Sequence, residues 1–161
     1  MRTAFTLGLL LLLVCLFAGC GTATGGRNWP SGNFSVSRGG TLWTPSYAWF
    51  YTTSGTLYLW AFETTRSNSP YVEIVVPDAT VGSTYTLNKD LGSNAWALYG
   101  PDQVSANAFY TYAASGSITI TTLSGSECVG TFNFTARDAA SDLVYLTGGS
   151  FDVGGGSDPS L

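Results

Sequence analysis

Apolar and polar side chains alternate at every second position along much of the chain, and no stretch sustains the repeat of an amphipathic helix. Ile118 and Ile120 alternate with Thr119 and Thr121, and Phe132, Phe134 and Ala136 alternate with Thr131, Asn133 and Thr135. Each segment predicts a strand with one face in a core and the other in water. Between them, Ser124-Gly125-Ser126-Glu127 has the composition of a turn. Val144 and Leu146, then Phe151 and Val153, carry the pattern across Gly148-Gly149. Upstream, Val72, Ile74 and Val76 predict another strand after the turn signal Asn68-Ser69-Pro70.

One stretch breaks the half-buried pattern. In Thr56 to Phe62, Leu57, Leu59 and Ala61 lie on one face and Tyr58, Trp60 and Phe62 on the other, so both faces are apolar. The same holds for Tyr47 to Tyr51, across the Ser54-Gly55 turn. Such a strand is covered on both sides, or its second face meets a ligand or partner. With Tyr85/Leu87, Trp96/Leu98 and Phe109/Thr111 the count reaches about nine to eleven short strands, with turn signals about every ten residues. The expected fold is all-β: one domain, a mainly antiparallel β-sandwich, with an up-and-down β-barrel as the alternative.

The ends follow a different logic. Arg2 precedes an apolar run from Leu7 to Phe17, and Ala18-Gly19-Cys20 follows it. That is the order of a secretory signal peptide, and the run is too short for a membrane-spanning helix. Leu16-Phe17-Ala18-Gly19-Cys20 resembles a bacterial lipobox, with Phe17 where Leu is usual. The resemblance implies cleavage before Cys20 and acylation of Cys20. It also implies several acyl chains, which hold a protein on a bilayer where one does not. Gly21, next to Cys20, points by analogy to the outer membrane of the cell envelope. The expected organisation is a signal peptide over 1–19, a lipidated Cys20 with a flexible tether over 20–32, a β-domain over 33–153 and a disordered tail over 154–161.

Cleavage would remove 19 of 161 residues and leave 142, enough for one ordinary domain. The whole chain has a net charge of −4, and Arg2 would leave with the signal. No basic cluster occurs, which argues against a nucleic-acid partner. Of the three cysteines, Cys15 falls in the signal and Cys20 at the lipid site, so Cys128 has no partner for an intramolecular disulfide.

Few catalytic constellations are available. The chain has no histidine, which removes the commonest general base and metal ligand together. Cys128 reads as a small buried residue opening a strand. Lys89, the only lysine, sits in Asn88-Lys89-Asp90 and reads as part of a solvated turn. Glu63 and Glu73 flank a loop with Arg66 and read as solvated or ion-paired charges; a carboxylate pair for glycoside hydrolysis is the sharper alternative. Asp138 and Asp142 lack the spacing of a calcium loop and read as a turn. No metal or other cofactor is expected. The aromatics remain: five tryptophans and nine tyrosines. They can be core, or a platform for a sugar or a protein, and alternation does not decide between these. The candidate ligand-binding residues are Tyr58, Trp60 and Phe62, with the Leu57 face as core. Tyr and Trp suit a half-wet surface because each carries a polar tip.

Three segments together carry a family resemblance: Gly116-Ser117-Ile118-Thr119-Ile120-Thr121, Gly130-Thr131-Phe132-Asn133-Phe134-Thr135-Ala136 and Gly148-Gly149-Ser150-Phe151-Asp152-Val153. They resemble the ending of a family of uncharacterised β-rich bacterial lipoproteins, and Gly82 to Leu87 resembles an earlier strand of it. The resemblance implies an exported β-domain and no particular activity. The expected function is a non-catalytic envelope module, bound to the bilayer through Cys20, that contacts a glycan or an envelope protein or serves structurally. A β-barrel carrier of a small apolar ligand and a hydrolase using carboxylates stand as alternatives.

Overall fold

A computed structural model describes residues 32–64, 68–90, 94–102, 104–112 and 115–156. The signal segment, Cys20, the tether up to residue 31, Arg66 and the tail from residue 157 lie outside the described residues.

Eleven strands form the domain: β1 (Asn33–Arg38), β2 (Thr41–Trp43), β3 (Tyr47–Thr53), β4 (Thr56–Phe62), β5 (Tyr71–Val76), β6 (Thr84–Thr86), β7 (Trp96–Gly100), β8 (Phe109–Tyr110), β9 (Gly116–Leu123), β10 (Glu127–Arg137) and β11 (Leu143–Gly154). Ser105–Asn107 forms a single 3-10 turn. The strands make one antiparallel sheet in the order β2-β1-β11-β10-β8-β7-β5-β4-β3, with β9 on β10 and β6 on β9. The all-β, antiparallel expectation holds, and the two packed halves belong to one curled sheet.

The curl follows from the length of β10. Its residues Cys128 to Phe134 pair with β9, and Arg137 at its far end pairs with Tyr110 of β8. From β8 the sheet continues through β7, β5 and β4 to β3. There Phe50 bridges Gly155, and the Gly156 N–H donates to the Phe50 carbonyl at 2.7 Å. Backbone pairing thus runs past Val153 into Gly155 and Gly156, which the sequence reading places in the tail. Glycines without side chains let the chain lie against the exposed edge of β3.

Within this curl the inward alternation of every long strand meets in one core. Leu57, Leu59 and Ala61 of β4, Val72, Ile74 and Val76 of β5, and Ile118 and Ile120 of β9 are fully buried. Phe132 and Phe134 of β10 close over Phe34 and Phe151, and side chains fill the interior. Cys128 belongs to this core, and burial pushes its thiol up to about 12, so it stays protonated and unreactive.

A parity problem in β11 is solved by a bulge. Leu146 and Phe151 both face inward although an odd number of steps separates them. One extra residue is needed, and both neighbours register it: Phe132 pairs Gly149 but Phe134 pairs Leu146, while Ser35 pairs Ser150 but Ser37 pairs Thr147. Gly148 takes the extra position at φ +61°, a conformation that glycine adopts without the Cβ penalty.

The outer faces of the two halves differ in chemistry. Across β6, β9, β10, β11 and β1, register aligns Thr84, Thr119, Thr131, Ser150 and Ser35 into one hydroxyl row. Thr84 and Thr119 share a 2.8 Å hydrogen bond, and Ser35 and Ser150 one of 3.1 Å. The other half carries aromatics on its outer face.

Candidate functional site

The aromatic face is set by the tight turn at Ser54-Gly55, where both residues have positive φ. Such a two-residue turn fixes register, and so places Tyr47 opposite Phe62, Trp49 opposite Trp60 and Tyr51 opposite Tyr58. Next door, β5 sets Tyr71 beside Phe62, Glu73 beside Trp60 and Val75 beside Tyr58. Beyond it come Gly100, Leu98 and Trp96 of β7, and Tyr110 of β8 against Leu98. Tyr58, Trp60 and Phe62 are all half-buried, on the face opposite the fully buried Leu57, Leu59 and Ala61.

Packing on this face changes from one end to the other. Tyr51 and Tyr58 stack at 4.7 Å between centroids and 2° between planes. Phe62 lies 5.5 Å from Trp49, 5.6 Å from Trp60 and 5.5 Å from Tyr71, all nearly parallel. These rings stand up from the sheet like slices and spend their faces on one another. Trp49 has no exposed surface, and Tyr71 and Leu98 pack with Ala108, so part of the face is a second small core. Gly100 makes room for it: a Cβ there would meet the Tyr71 ring at 2.0 Å. The Trp60 Nε1 is buried without a hydrogen-bond partner, an uncommon state for a buried donor.

At the β7–β8 end the rings tilt instead. Trp96 and Tyr110 are 6.3 Å apart at 46°, and Tyr110 and Tyr112 are 6.1 Å apart at 58°. Lys89 reaches this cluster because its backbone N–H donates to the Thr111 carbonyl. Its Nζ lies 3.5 Å from the Trp96 centroid and 5.2 Å from that of Tyr110. Lys89 lies in a turn as expected, but the turn is not fully solvated there: its side chain is half-buried against the Trp96 ring. Arg137, at the end of β10, lies 5.0 Å over Tyr112.

Electrostatics keep the tyrosines neutral. Burial, with help from the Glu73 carboxylate, pushes the Tyr71 hydroxyl up to about 12 and raises Tyr110 as well. Burial lowers the Lys89 ammonium while Glu73 opposes that shift.

The other sequence candidates take structural roles. Glu63 accepts a 3.2 Å hydrogen bond from the Trp43 indole. Asp138 Oδ1 accepts the backbone N–H groups of Ala140 and Asp142, which shapes the β10–β11 turn. Among the described residues no group of three or more His, Cys, Asp or Glu residues converges as a metal site would. The grouping of Lys89, Tyr112 and Arg137 escapes sequence reasoning. Lys89 sits on Trp96 and Tyr110, Tyr110 neighbours Tyr112, and Arg137 lies over Tyr112, a chain of contacts between separate segments that no local spacing signals.

A family model described as a domain of unknown function, DUF6252, matches residues 31–153. No curated protein and no solved structure matches the chain.

Proposed function

The chain belongs to the DUF6252 family, and from that premise we propose that it is a cell-envelope lipoprotein, tethered through acylated Cys20, whose β-domain is a non-catalytic binding module. Its contact surface is the outer face of β3, β4, β5, β7 and β8, with Tyr58, Trp60 and Phe62 at its centre. The partner is a component of the envelope, a glycan or a protein. The lipobox-like segment supports the anchor.

One observation carries the binding role. The inward face of β4 already supplies the core, yet its outward face holds three large aromatics that keep partial solvent contact, one with an orphaned indole N–H. Aromatics with partly wet surface are what binding faces enrich. The packed interior lends no support to a carrier of an apolar ligand.

The test compares the full-length protein with Cys20→Ser and Trp60→Ala in a bacterial host. Cys20→Ser is expected to lose fatty-acid label and leave the membrane fraction. Trp60→Ala is expected to keep both the label and the fold, but to lose at least about ten-fold in crosslinking to envelope components, the loss typical of a central aromatic contact. A Cys20→Ser protein that still carries lipid removes the anchor, and undiminished crosslinking in Trp60→Ala removes the contact surface.

A further inference from the structure

The tilted end of the aromatic face has a property that the stacked end lacks: it brings cations and rings together. Lys89 lies over Trp96 and Tyr110, and Arg137 over Tyr112. Beyond Arg137, Tyr145 of β11 is 51% exposed. Its register opposite Thr135 places it on the same outward face as Arg137. The described residues thus hold a continuous band of Trp96, Lys89, Tyr110, Tyr112, Arg137 and Tyr145.

Both cations of the band are seated on ring faces, in a chain whose acidic side chains outnumber the basic ones by ten to six. Glu73 is the carboxylate felt by Lys89, and its attraction only partly offsets the effect of burial. Arg137 is exposed as well as seated on a ring, and Lys89 keeps part of its surface in solvent beside Glu73, so both can meet an anion. The ring fixes the cation in place, so less side-chain entropy remains to be lost on binding. The tilted Tyr110 and Tyr112 add two hydroxyl groups to the band.

We propose that this band is a binding site for a carboxylated oligosaccharide, with its sugar rings along the tilted aromatics and its carboxylates on Lys89 and, further along the band, on Arg137. The inference rests on the binding-module reading and names its ligand class. At the stacked end the ring faces are spent on one another, whereas at the tilted end each cation occupies one side of a ring and brings a positive charge beside it. An anion without a sugar needs no aromatic band. The pairing of both features selects a saccharide bearing a carboxylate, such as a hexuronic acid unit. The chain enters at Gly32 against Val153, beside the Glu127 end of β10. Arg137 closes the other end of β10, ten residues and about 33 Å further on.

The test uses full-length protein in detergent and two probes: a trigalacturonate oligosaccharide and the same oligosaccharide with its carboxyl groups reduced to alcohols. The acidic probe is expected to bind at least about ten-fold more tightly, and the preference is expected to shrink as salt screens the contact. Lys89→Gln and Arg137→Gln should each remove most of that preference with an unchanged melting temperature, and Lys89→Arg should retain it. Equal binding of both probes, dependent on Trp60, overturns the carboxylate assignment and leaves the binding module standing. Binding of neither probe, or a preference that survives Lys89→Gln, also overturns it. Stronger Lys89-dependent binding to vesicles of anionic lipid than to trigalacturonate overturns the saccharide as the ligand.

Discussion

Individual residues in this domain divide by register more sharply than by chemical type. Phe132 and Phe134 are 3% and 2% exposed, whereas Thr131 and Asn133 on the same strand face water. Phe132→Ala or Phe134→Ala is expected to cost about 3–5 kcal/mol, the loss of a large aromatic plus the cavity it leaves. Thr131→Ala or Asn133→Ala should cost under about 1 kcal/mol. Denaturant unfolding checks the contrast, and equal costs on both faces would mean that the register is wrong. Aromatic type alone is a poor guide by comparison. Trp49 and Trp60 are cross-strand neighbours with the same outward register, yet Trp49 has no exposed surface and Trp60 keeps some. Lys89 makes the same point for charge. Its sequence neighbours, Asn88 and Asp90, suggest a turn in water, while its environment comes from Trp96 and Tyr110 on other strands.

At the level of elements, the strands themselves are legible in the sequence and their partners are not. Alternation marks β9 and β10 because each buries one face, and burial is what writes a period of two into sequence; β5 shows it only at Glu73, since Tyr71 and Val75 on its outer face are buried too. The aromatic outer face of β4 is equally visible as a second apolar set. In β1, Phe34 and Val36 alternate with Asn33, Ser35 and Ser37 over only six residues, and β2, three residues long, gives too little pattern to separate it from loop. Sheet order, the bridge from β3 to Gly155, the seating of Lys89 on Trp96 and that of Arg137 on Tyr112 are long-range facts that no local period encodes. The β11 bulge lies between these cases. The inward Leu146 and Phe151 have opposite parity, so one residue between them must be surplus, and Gly148 is that residue. Deleting Gly148 should turn Phe151 and Val153 outward or throw out Leu146, since a one-residue slip exchanges the faces of a strand. The expected result is a domain that no longer unfolds cooperatively, whereas Gly148→Asn, a residue that tolerates positive φ, should retain the fold. A deletion variant as stable as the parent would show that the bulge is dispensable.

The whole molecule separates two surfaces on one curled sheet. One half presents ordered rows of Ser and Thr hydroxyls, and the other presents aromatics that run from stacked slices near β3 to a cation-bearing band near β8. The chain enters beside the Glu127 end of β10, while the band lies at the Arg137 end. The central claim is that the aromatic half, not the hydroxyl half, meets a partner in the envelope. Oxidative footprinting tests it whatever the ligand is, by comparing the purified protein with the same protein in intact cells. The account predicts that Tyr58, Trp60, Trp96 and Tyr110 are oxidised in the purified protein and protected several-fold in cells, while Tyr85, beside the hydroxyl row, reacts equally in both. Equal oxidation of all five residues in the two preparations would contradict it.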